Sequence, residues 1–309
     1  MRIGTIASGA GVHIASLSKK HDIVFGSEKD WAFAESYSRN YPNSKIFDGL
    51  AEENWQKFPR NIDLLIFTPS CKNASIANRG SLGEQESDIS IARSCVSYLK
   101  ASDANLFIME NVAGYKKFQS YRLICDYLIK AGWYFMCYRI CLTQIGIPQK
   151  RTRIYLTASK VKGIPELSLP SAVQGGWFCA VEDVIPSLER VRLSGWQDRM
   201  FPEILSFPFP ALIKRAGGGR PEGDRIYSHL DPAFTIRALG RGCGRHTRIG
   251  NIILDGNVYC LAPRASLRLF GDAATADSFL LPDDRCIAQE IVGNAASWVV
   301  IEKLAELIC

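Results

Sequence analysis

Short apolar runs alternate with helix-like spacing through the first half of the chain. Nearly continuous apolar runs of about four to eight residues are typical of buried strands, whereas apolar positions that recur at intervals of about three and four are typical of helices. Ile91, Cys95 and Tyr98 follow the helical spacing. The pattern predicts strands at residues 2–6, 22–26, 64–68, 106–110, 134–141 and 153–158, and helices at 32–40, 87–101 and 118–131.

This alternation predicts an α/β fold, because strands connected by helices form a doubly wound, Rossmann-like sheet whose strands run parallel. The pattern changes near residue 160, after which prolines recur from Pro165 to Pro210 and periodicity is weak. We interpret this part as a separate, smaller, irregular and mostly β domain. Helical spacing returns at 262–271 and again at 297–308.

Composition is that of an ordinary globular protein. The 309 residues are 47% apolar and 22% charged, which is enough for one large domain or two unequal ones. The chain has no run of about 18 apolar residues and starts directly with the first strand pattern, so we predict neither a membrane span nor a signal peptide. We therefore expect a cytoplasmic, nucleoid-associated protein. Its ten cysteines include no C-x-x-C pair, so no metal site is predicted.

The net charge of +6 is modest, but positive charge is concentrated in one segment. Residues 211–250 contain eight lysines and arginines, three acidic residues and several glycines. Arginines on a glycine-rich backbone suit contacts with phosphate groups and guanine bases. The segment is therefore either a nucleic-acid contact, with Arg237, Arg241 and Arg245 as candidates, or a solvated basic loop.

A small-residue turn, A-S-G-A-G at residues 7–11, follows the first strand. Such a turn lets a ligand approach the backbone closely, although it also occurs for packing reasons. Glu28 lies 17 positions after Gly11 at the end of the second strand, where an acid commonly binds ribose hydroxyls. Asp48 ends the predicted third strand and could meet an adenine amino group. Together these residues predict a nucleoside-binding half-domain, for either a nicotinamide dinucleotide or S-adenosylmethionine.

Cys71 follows the fourth strand of the predicted sheet, in the sequence T-P-S-C. Ligands of such sheets bind at the carboxyl ends of the strands, so a thiolate there is a candidate nucleophile. A buried structural cysteine is the alternative. The next strand ends in M-E-N-V, which brings Glu110 and Asn111 to the same edge, and a buried carboxyl group can donate a proton.

The sequence G-I-P-Q-K-R-T-R enters the last strand of the first half. Arg151 and Arg153 are two positions apart, so we expect both to point to the same face. A nucleophilic cysteine, a proton-donating glutamate and an arginine suit attack on C6 of a pyrimidine, with Glu110 at ring N3 and Arg153 at the carbonyl O2.

Six ordered motifs resemble those of the cytosine-C5 DNA methyltransferase family, of prokaryotic or phage type. A-S-G-A-G resembles the family's first motif, P-S-C its Pro-Cys nucleophile motif, M-E-N-V its Glu-Asn-Val motif and Q-K-R-T-R its Gln-x-Arg-x-Arg motif. L-A-P-R-A-S-L-R-L-F-G at 261–271 is similar to the ninth motif, and Q-E-I-V-G-N-A at 289–295 to the last. Only residues from about 160 to 223 lack counterparts.

The resemblance implies a DNA (cytosine-5-)-methyltransferase that uses S-adenosylmethionine, flips its target cytosine out of double-stranded DNA and acts as a monomer. It implies a catalytic domain at 1–165, a target-recognition domain at 166–258, and a segment at 259–309 that returns to the catalytic domain. The implied roles are catalysis by Cys71, Glu110 and Arg153, a framework of Asn111, Gln149 and Arg151, cofactor binding by Ser8, Gly9, Gly11, Glu28, Asp48 and Asn294, and DNA binding by Thr235 with Arg237, Arg241 and Arg245.

Two positions depart from the family pattern and keep alternatives open. Ser70 replaces the second proline before the nucleophile, and Lys29 stands where an aromatic residue commonly stacks on adenine, with Trp31 two positions further on. An RNA cytosine-5 methyltransferase and a weakly active or non-catalytic DNA-binding relative are the alternatives. A nicotinamide-dependent oxidoreductase would leave Cys71 unexplained. The setting is open between restriction-modification, a phage and a solitary enzyme.

Overall fold

The computed structural model describes residues 1–75, 83–168, 175–193, 203–214, 225–238 and 250–309. Its strands are β1 (Arg2–Ile6), β2 (Asp22–Glu28), β3 (Lys45–Asp48), β4 (Leu64–Phe67), β5 (Leu106–Asn111), β6 (Tyr134–Cys141), β7 (Thr152–Ser159), β8 (Ala211–Lys214), β9 (Arg225–Ser228), β10 (Gly250–Leu254) and β11 (Asn257–Cys260). Its α-helices are α1 (Trp31–Asn40), α2 (Ala51–Asn54), α3 (Glu86–Ala101), α4 (Gln119–Lys130), α5 (Pro263–Arg268), α6 (Ala273–Ser278), α7 (Arg285–Asn294) and α8 (Trp298–Ile308).

The chain divides into two compact units. The first contains Met1–Ile140, Thr152–Ser168 and Ala296–Cys309, and the second contains Cys141–Arg151 and Leu169–Ala295. The domain boundaries predicted near residues 165 and 258 stay a prediction. No helix in the described ranges combines the length and the apolar character that a membrane crossing needs.

The first unit is built on a seven-stranded sheet of order β3-β2-β1-β4-β5-β7-β6. Its first five strands in that order run parallel, which confirms the predicted doubly wound α/β class. Every residue of β4 and β5 is buried, as expected for strands covered on both faces; β4 is entirely apolar, and β5 is apolar until Glu110 and Asn111 at its end. Helices α3 and α4 pack together, and α8 packs on β5 and β7.

The direction of β7 differs from the predicted parallel arrangement, because β7 runs antiparallel to β5 and lies between β5 and β6. The connection from β6 to β7 contains only a short 3-10 turn at Leu142–Ile145. A parallel crossover needs about a dozen residues or more and usually a helix, so this connection is too short for one. The strand that follows pairs antiparallel with β5 instead.

The second unit contains a four-stranded antiparallel sheet of order β11-β10-β8-β9. The turn from β10 to β11 has Asp255 at φ 48° and Gly256 at φ 72°. Two successive residues with positive φ are typical of a tight hairpin turn, in which Asp-Gly is a favoured pair. The predicted smaller, mostly β part is therefore present as an antiparallel sheet, together with the helices α5, α6 and α7.

His13 is a buried histidine in the first unit, within the 3-10 turn Val12–Ile14 that packs on α8. Its burial lowers the pKa of the imidazole from 6.5 to about 4. The unfolded chain therefore takes up this proton near pH 6.5, whereas the folded chain takes it up only near pH 4. The stability linked to His13 is complete above pH 6.5 and is lost as the pH falls toward 4.

We expect the wild-type free energy of unfolding to fall by about 2 kcal/mol more than that of His13→Leu between pH 7 and pH 5. The variant lacks the titrating ring, while every other titrating group is common to both proteins. Urea titrations of both proteins at the two pH values measure this difference. Parallel pH profiles would contradict a buried neutral His13.

Candidate active site

Cys71 lies in a turn at residues 68–74, called the Cys71 turn below, which begins where β4 ends. Thr68 donates from Oγ1 to the carbonyl oxygen of Ala7 at 2.8 Å, which ties the start of the turn to the loop after β1. The amide of Lys72 donates to Ser70 Oγ at 3.3 Å, and Ser70 is the residue that replaces the second proline. Cys71 is partly exposed, unlike Cys95, whose complete burial raises the pKa of its thiol far above the usual value.

Asn111, at the end of β5, holds the Cys71 turn from one side. Its buried side chain donates from Nδ2 to the carbonyl oxygen of Pro69 at 3.0 Å, and its Oδ1 accepts the amide of Val112 at 2.8 Å. A Cβ at Gly114 would overlap the carbonyl oxygen of Ala74. The turn therefore packs directly on the backbone that follows β5, and this close approach requires glycine at position 114.

Glu110 and Arg153 are brought together by the neighbouring strands β5 and β7. Arg153 Nε lies 3.1 Å from Glu110 Oε1, and the two side chains are 13% and 10% exposed. Arg153 also donates from Nη1 to the carbonyl oxygen of Thr152 at 2.9 Å. Because Glu110 directly precedes Asn111, this ion pair lies next to the residue that holds the Cys71 turn. A carboxyl group, a guanidinium and a partly exposed thiol thus lie on adjoining segments of the first unit.

Arg151 directly precedes β7, which begins at Thr152, and its partners differ from those of Arg153. The expectation that the two arginines point to the same face stays a prediction. The buried guanidinium of Arg151 lies over the ring of Phe270 and donates to backbone carbonyl oxygens. Those oxygens belong to Ile236 at 2.8 Å, Gly293 at 3.3 Å and Ala295 at 2.6 Å.

Gln149 is fully buried in the same second unit. Its Nε2 donates to the carbonyl oxygen of Leu269 at 2.8 Å, and its Oε1 accepts the amide of Ile236 at 3.2 Å. Gln149 and Arg151 thus bond to both polar backbone groups of Ile236. This arrangement fixes the backbone near Ile236 through buried side chains.

The turn after β1 and the end of β2 are linked through Glu28. Its carboxylate accepts the amide of Gly9 at 2.8 Å on Oε2 and the amide of Asp30 at 2.9 Å on Oε1. Burial raises the pKa of Glu28 above its usual value of 4.5, and the backbone donors oppose that rise. A Cβ at Gly9 would meet no atom within 4 Å, so the backbone there borders open space.

Two of the predicted cofactor residues have structural partners of their own. Ser8 is buried, and its hydroxyl lies 2.7 Å from Thr5 Oγ1 and accepts the amide of Ser27 at 2.9 Å, which joins β1 to β2. Gly11 has φ 79°, and a Cβ there would overlap the ring of Tyr41. Both positions therefore shape the turn through packing and hydrogen bonds.

Two other predicted cofactor residues, Asp48 and Asn294, are exposed, as are two apolar side chains near the ends of β2 and β3. Asp48 is exposed and pairs in register with Glu28 at the ends of β3 and β2. Trp31, the first residue of α1, is 63% exposed, and Leu50 after β3 is 40% exposed. Asn294, in the second unit, is exposed at the end of α7.

The predicted DNA-binding residues belong to the second unit and are only partly described. Thr235 donates from Oγ1 to the carbonyl oxygen of Lys150, and Arg237 is half-buried. Arg241 and Arg245 lie outside the described residues. Across the described ranges, no group of three or more His, Cys, Asp or Glu side chains is arranged to hold a metal ion.

Comparisons with known proteins identify the family. The model of the family described as C-5 cytosine-specific DNA methylase matches residues 1–181, more than half of the chain. Type II methyltransferase M.NgoBV of Neisseria gonorrhoeae is 29% identical over 161 residues, which are 49% of this chain and only 37% of that protein. Type II methyltransferase M.HhaI of Haemophilus parahaemolyticus is 22% identical over 311 residues, with 98% of this chain and 92% of that protein covered.

The structure of another methyltransferase has a similar fold. The methyltransferase EhMeth of Entamoeba histolytica superposes with a TM-score of 0.64 at 16% identity, covering 100% of this chain and 97% of that one. At this identity the likeness concerns the fold alone. The family resemblance predicted from the six motifs is confirmed. The chain belongs to the C-5 cytosine-specific DNA methylase family.

Proposed function

We propose that this protein transfers a methyl group from S-adenosylmethionine to C5 of a cytosine in a specific duplex DNA sequence, through a covalent adduct with Cys71. The observation that carries the proposal is the ion pair between the buried Glu110 and the partly buried Arg153, next to the residue whose side chain holds the Cys71 turn. A base that entered there would meet a thiol, a carboxyl group and a guanidinium. These are the groups that an attack on C6 requires.

The residues after β1, β2 and β3 suit S-adenosylmethionine. Glu28 and Asp48 end adjacent strands and can accept hydrogen bonds from ribose hydroxyls and an adenine amino group. The backbone at Gly9 borders open space, and Trp31 offers an exposed ring for stacking on adenine, which Lys29 cannot do. When bound, the cofactor supplies an electrophilic methyl group.

In the proposed reaction, the thiolate of Cys71 forms a bond from Sγ to C6 of the flipped cytosine. A free thiol has a pKa of about 8.5, so Cys71 must lose its proton during or before the attack. Glu110 donates a hydrogen bond or proton at N3, and Arg153 donates to O2. The ring electrons move to C5, which takes the methyl group. Loss of the C5 proton to a base then breaks the Sγ–C6 bond and restores the thiolate.

Duplex DNA is the proposed partner, because arginines are dense in the segment that contains Thr235, Arg237, Arg241 and Arg245. We propose that these residues contact phosphates and base edges in the major groove. A protein with this substrate would work as a monomer in the cytoplasm, at the nucleoid.

Methyl incorporation from labelled S-adenosylmethionine into mixed-sequence duplex DNA and into tRNA tests the substrate class. We expect label in the duplex DNA, with 5-methylcytosine as the product after hydrolysis, and background label in tRNA. Label confined to tRNA would replace DNA by RNA as the substrate. Label in neither would favour a non-catalytic DNA-binding protein.

A further inference from the structure

The Cys71 turn is also held on the side that follows the cysteine. Asn73, two residues after Cys71, donates from Nδ2 to Oδ2 of Asp88 at 2.8 Å. Asp88 lies 15 positions further along the chain, in the first turn of α3. The hydrogen bond therefore connects the backbone beside the nucleophile to a helix that is separate from β4 and β5.

The Asp88 carboxylate is itself held in place by burial and by a second hydrogen bond. Its carboxylate is 7% exposed and also accepts the amide of Gln85 at 2.9 Å, as part of the capping box of α3. A negative charge in the first turn of a helix is stabilised by the helix dipole. Helix α3 is 16 residues long and buries Ala92, Cys95 and Leu99 in the core. A hydrogen bond to a charged acceptor is also stronger than one between neutral groups.

The chain on each side of Cys71 is thus fixed by a side-chain hydrogen bond. Pro69, two residues before the cysteine, is bonded to Asn111 of β5, and Asn73, two residues after it, is bonded to Asp88 of α3. The close packing of Ala74 on Gly114 restricts the same turn further. The backbone on both sides of the thiol is therefore held in place, which fixes the position from which the Cys71 side chain projects.

We propose that Asn73 and Asp88 are positioning residues that fix the direction of Cys71 Sγ for attack on the base. The inference rests on the proposed role of Cys71 as nucleophile. Displacement of a reacting group by about 1 Å can reduce a rate by about 10²-fold. Because the two residues act through the position of Cys71, their loss changes kcat, while the KM values for DNA and for S-adenosylmethionine stay nearly constant.

Asn73→Asp tests this role, because it replaces the donor to Asp88 by a second carboxyl group, so that two carboxyl groups face each other. We expect kcat to fall by about 10-fold to 100-fold with both KM values within about 2-fold of wild type. The rate at which iodoacetamide alkylates Cys71 without DNA, followed on its peptide by mass spectrometry, should change as well. The double variant Asn73→Asp/Asp88→Asn exchanges donor and acceptor, and we expect it to recover most of the lost kcat.

Gln85→Ala is the matched control, since it removes the side-chain half of the α3 capping box, while the amide of residue 85 can still donate to Asp88 and the Asn73–Asp88 bond is retained. It should lower Tm and leave both kcat and the alkylation rate unchanged. If Asn73→Asp does not fold, Asn73→Ala removes the donor without adding charge and should lower kcat in the same direction. Wild-type kcat in the folded single variant, or no recovery in the double variant, would overturn the positioning role. An active Cys71→Ala variant would instead overturn the proposed function itself.

Discussion

Replacing Cys71 by alanine is expected to abolish methyl transfer, with a loss in kcat of at least about 10⁴-fold. Removal of a covalent nucleophile has effects of this order, because the reaction can no longer proceed through the covalent intermediate, which lowers the activation free energy. The side chain is partly exposed in a turn, so its truncation leaves no core cavity and Tm should stay close to that of wild type. Label transfer from S-adenosylmethionine to duplex DNA measures the activity, and calorimetric titration measures cofactor binding, which should persist.

Cys179→Ala is the control for general effects of removing a thiol, because Cys179 is an exposed cysteine in the second unit. It should keep wild-type activity. Turnover by Cys71→Ala within about 10-fold of wild type would exclude Cys71 as the nucleophile, whatever the control shows.

Glu110→Gln is expected to lower kcat by about 10²-fold to 10⁴-fold, the usual effect of losing a general acid. Glutamine keeps the size of the side chain and can still accept a hydrogen bond from Arg153, but it cannot donate a proton to ring N3. Because Glu110 is not among the residues proposed to bind the cofactor, the affinity for S-adenosylmethionine should be unchanged. Steady-state kinetics on duplex DNA, together with cofactor titration, separates the two effects.

Glu86→Gln is the control for this substitution, because Glu86 is an exposed carboxylate that forms an ion pair with Arg93 on the surface of α3. Such exposed pairs contribute little to stability, so neither kcat nor Tm should change measurably. If Glu110→Gln keeps its kcat within about 3-fold of wild type, proton donation from Glu110 is not part of the mechanism.

The strands of the large sheet could be predicted well, because their burial follows directly from composition. β4 and the first four residues of β5 are unbroken apolar runs, which is typical of strands covered on both faces. The direction of β7 could not be predicted from its residues. It depends on the length of the connection after β6, and an apolar strand has the same pattern in either direction.

The residues that meet across distant segments were harder to predict than the strands. Glu110 and Arg153 could be predicted to lie near each other, because each occupies the end of a recognisable strand, but their ion pair is seen only in the structure. The two-residue spacing of Arg151 and Arg153 did not reveal the partners of Arg151, which directly precedes β7 and bonds to backbone carbonyl oxygens in the second unit. The Asn73–Asp88 bond has no sequence signal, because it depends on how the first turn of α3 packs beside the Cys71 turn.

Mixed-sequence duplex DNA in which 5-fluorocytosine replaces cytosine tests the central claim most directly. The thiolate can add to C6 and the methyl group can transfer, but fluorine at C5 cannot leave as a proton does, so the Sγ–C6 bond cannot break. We predict an adduct that resists denaturation and depends on S-adenosylmethionine, with the modified nucleotide on the peptide that contains Cys71. An enzyme that methylates ordinary duplex DNA but forms no adduct, or forms one on another cysteine, would contradict the account.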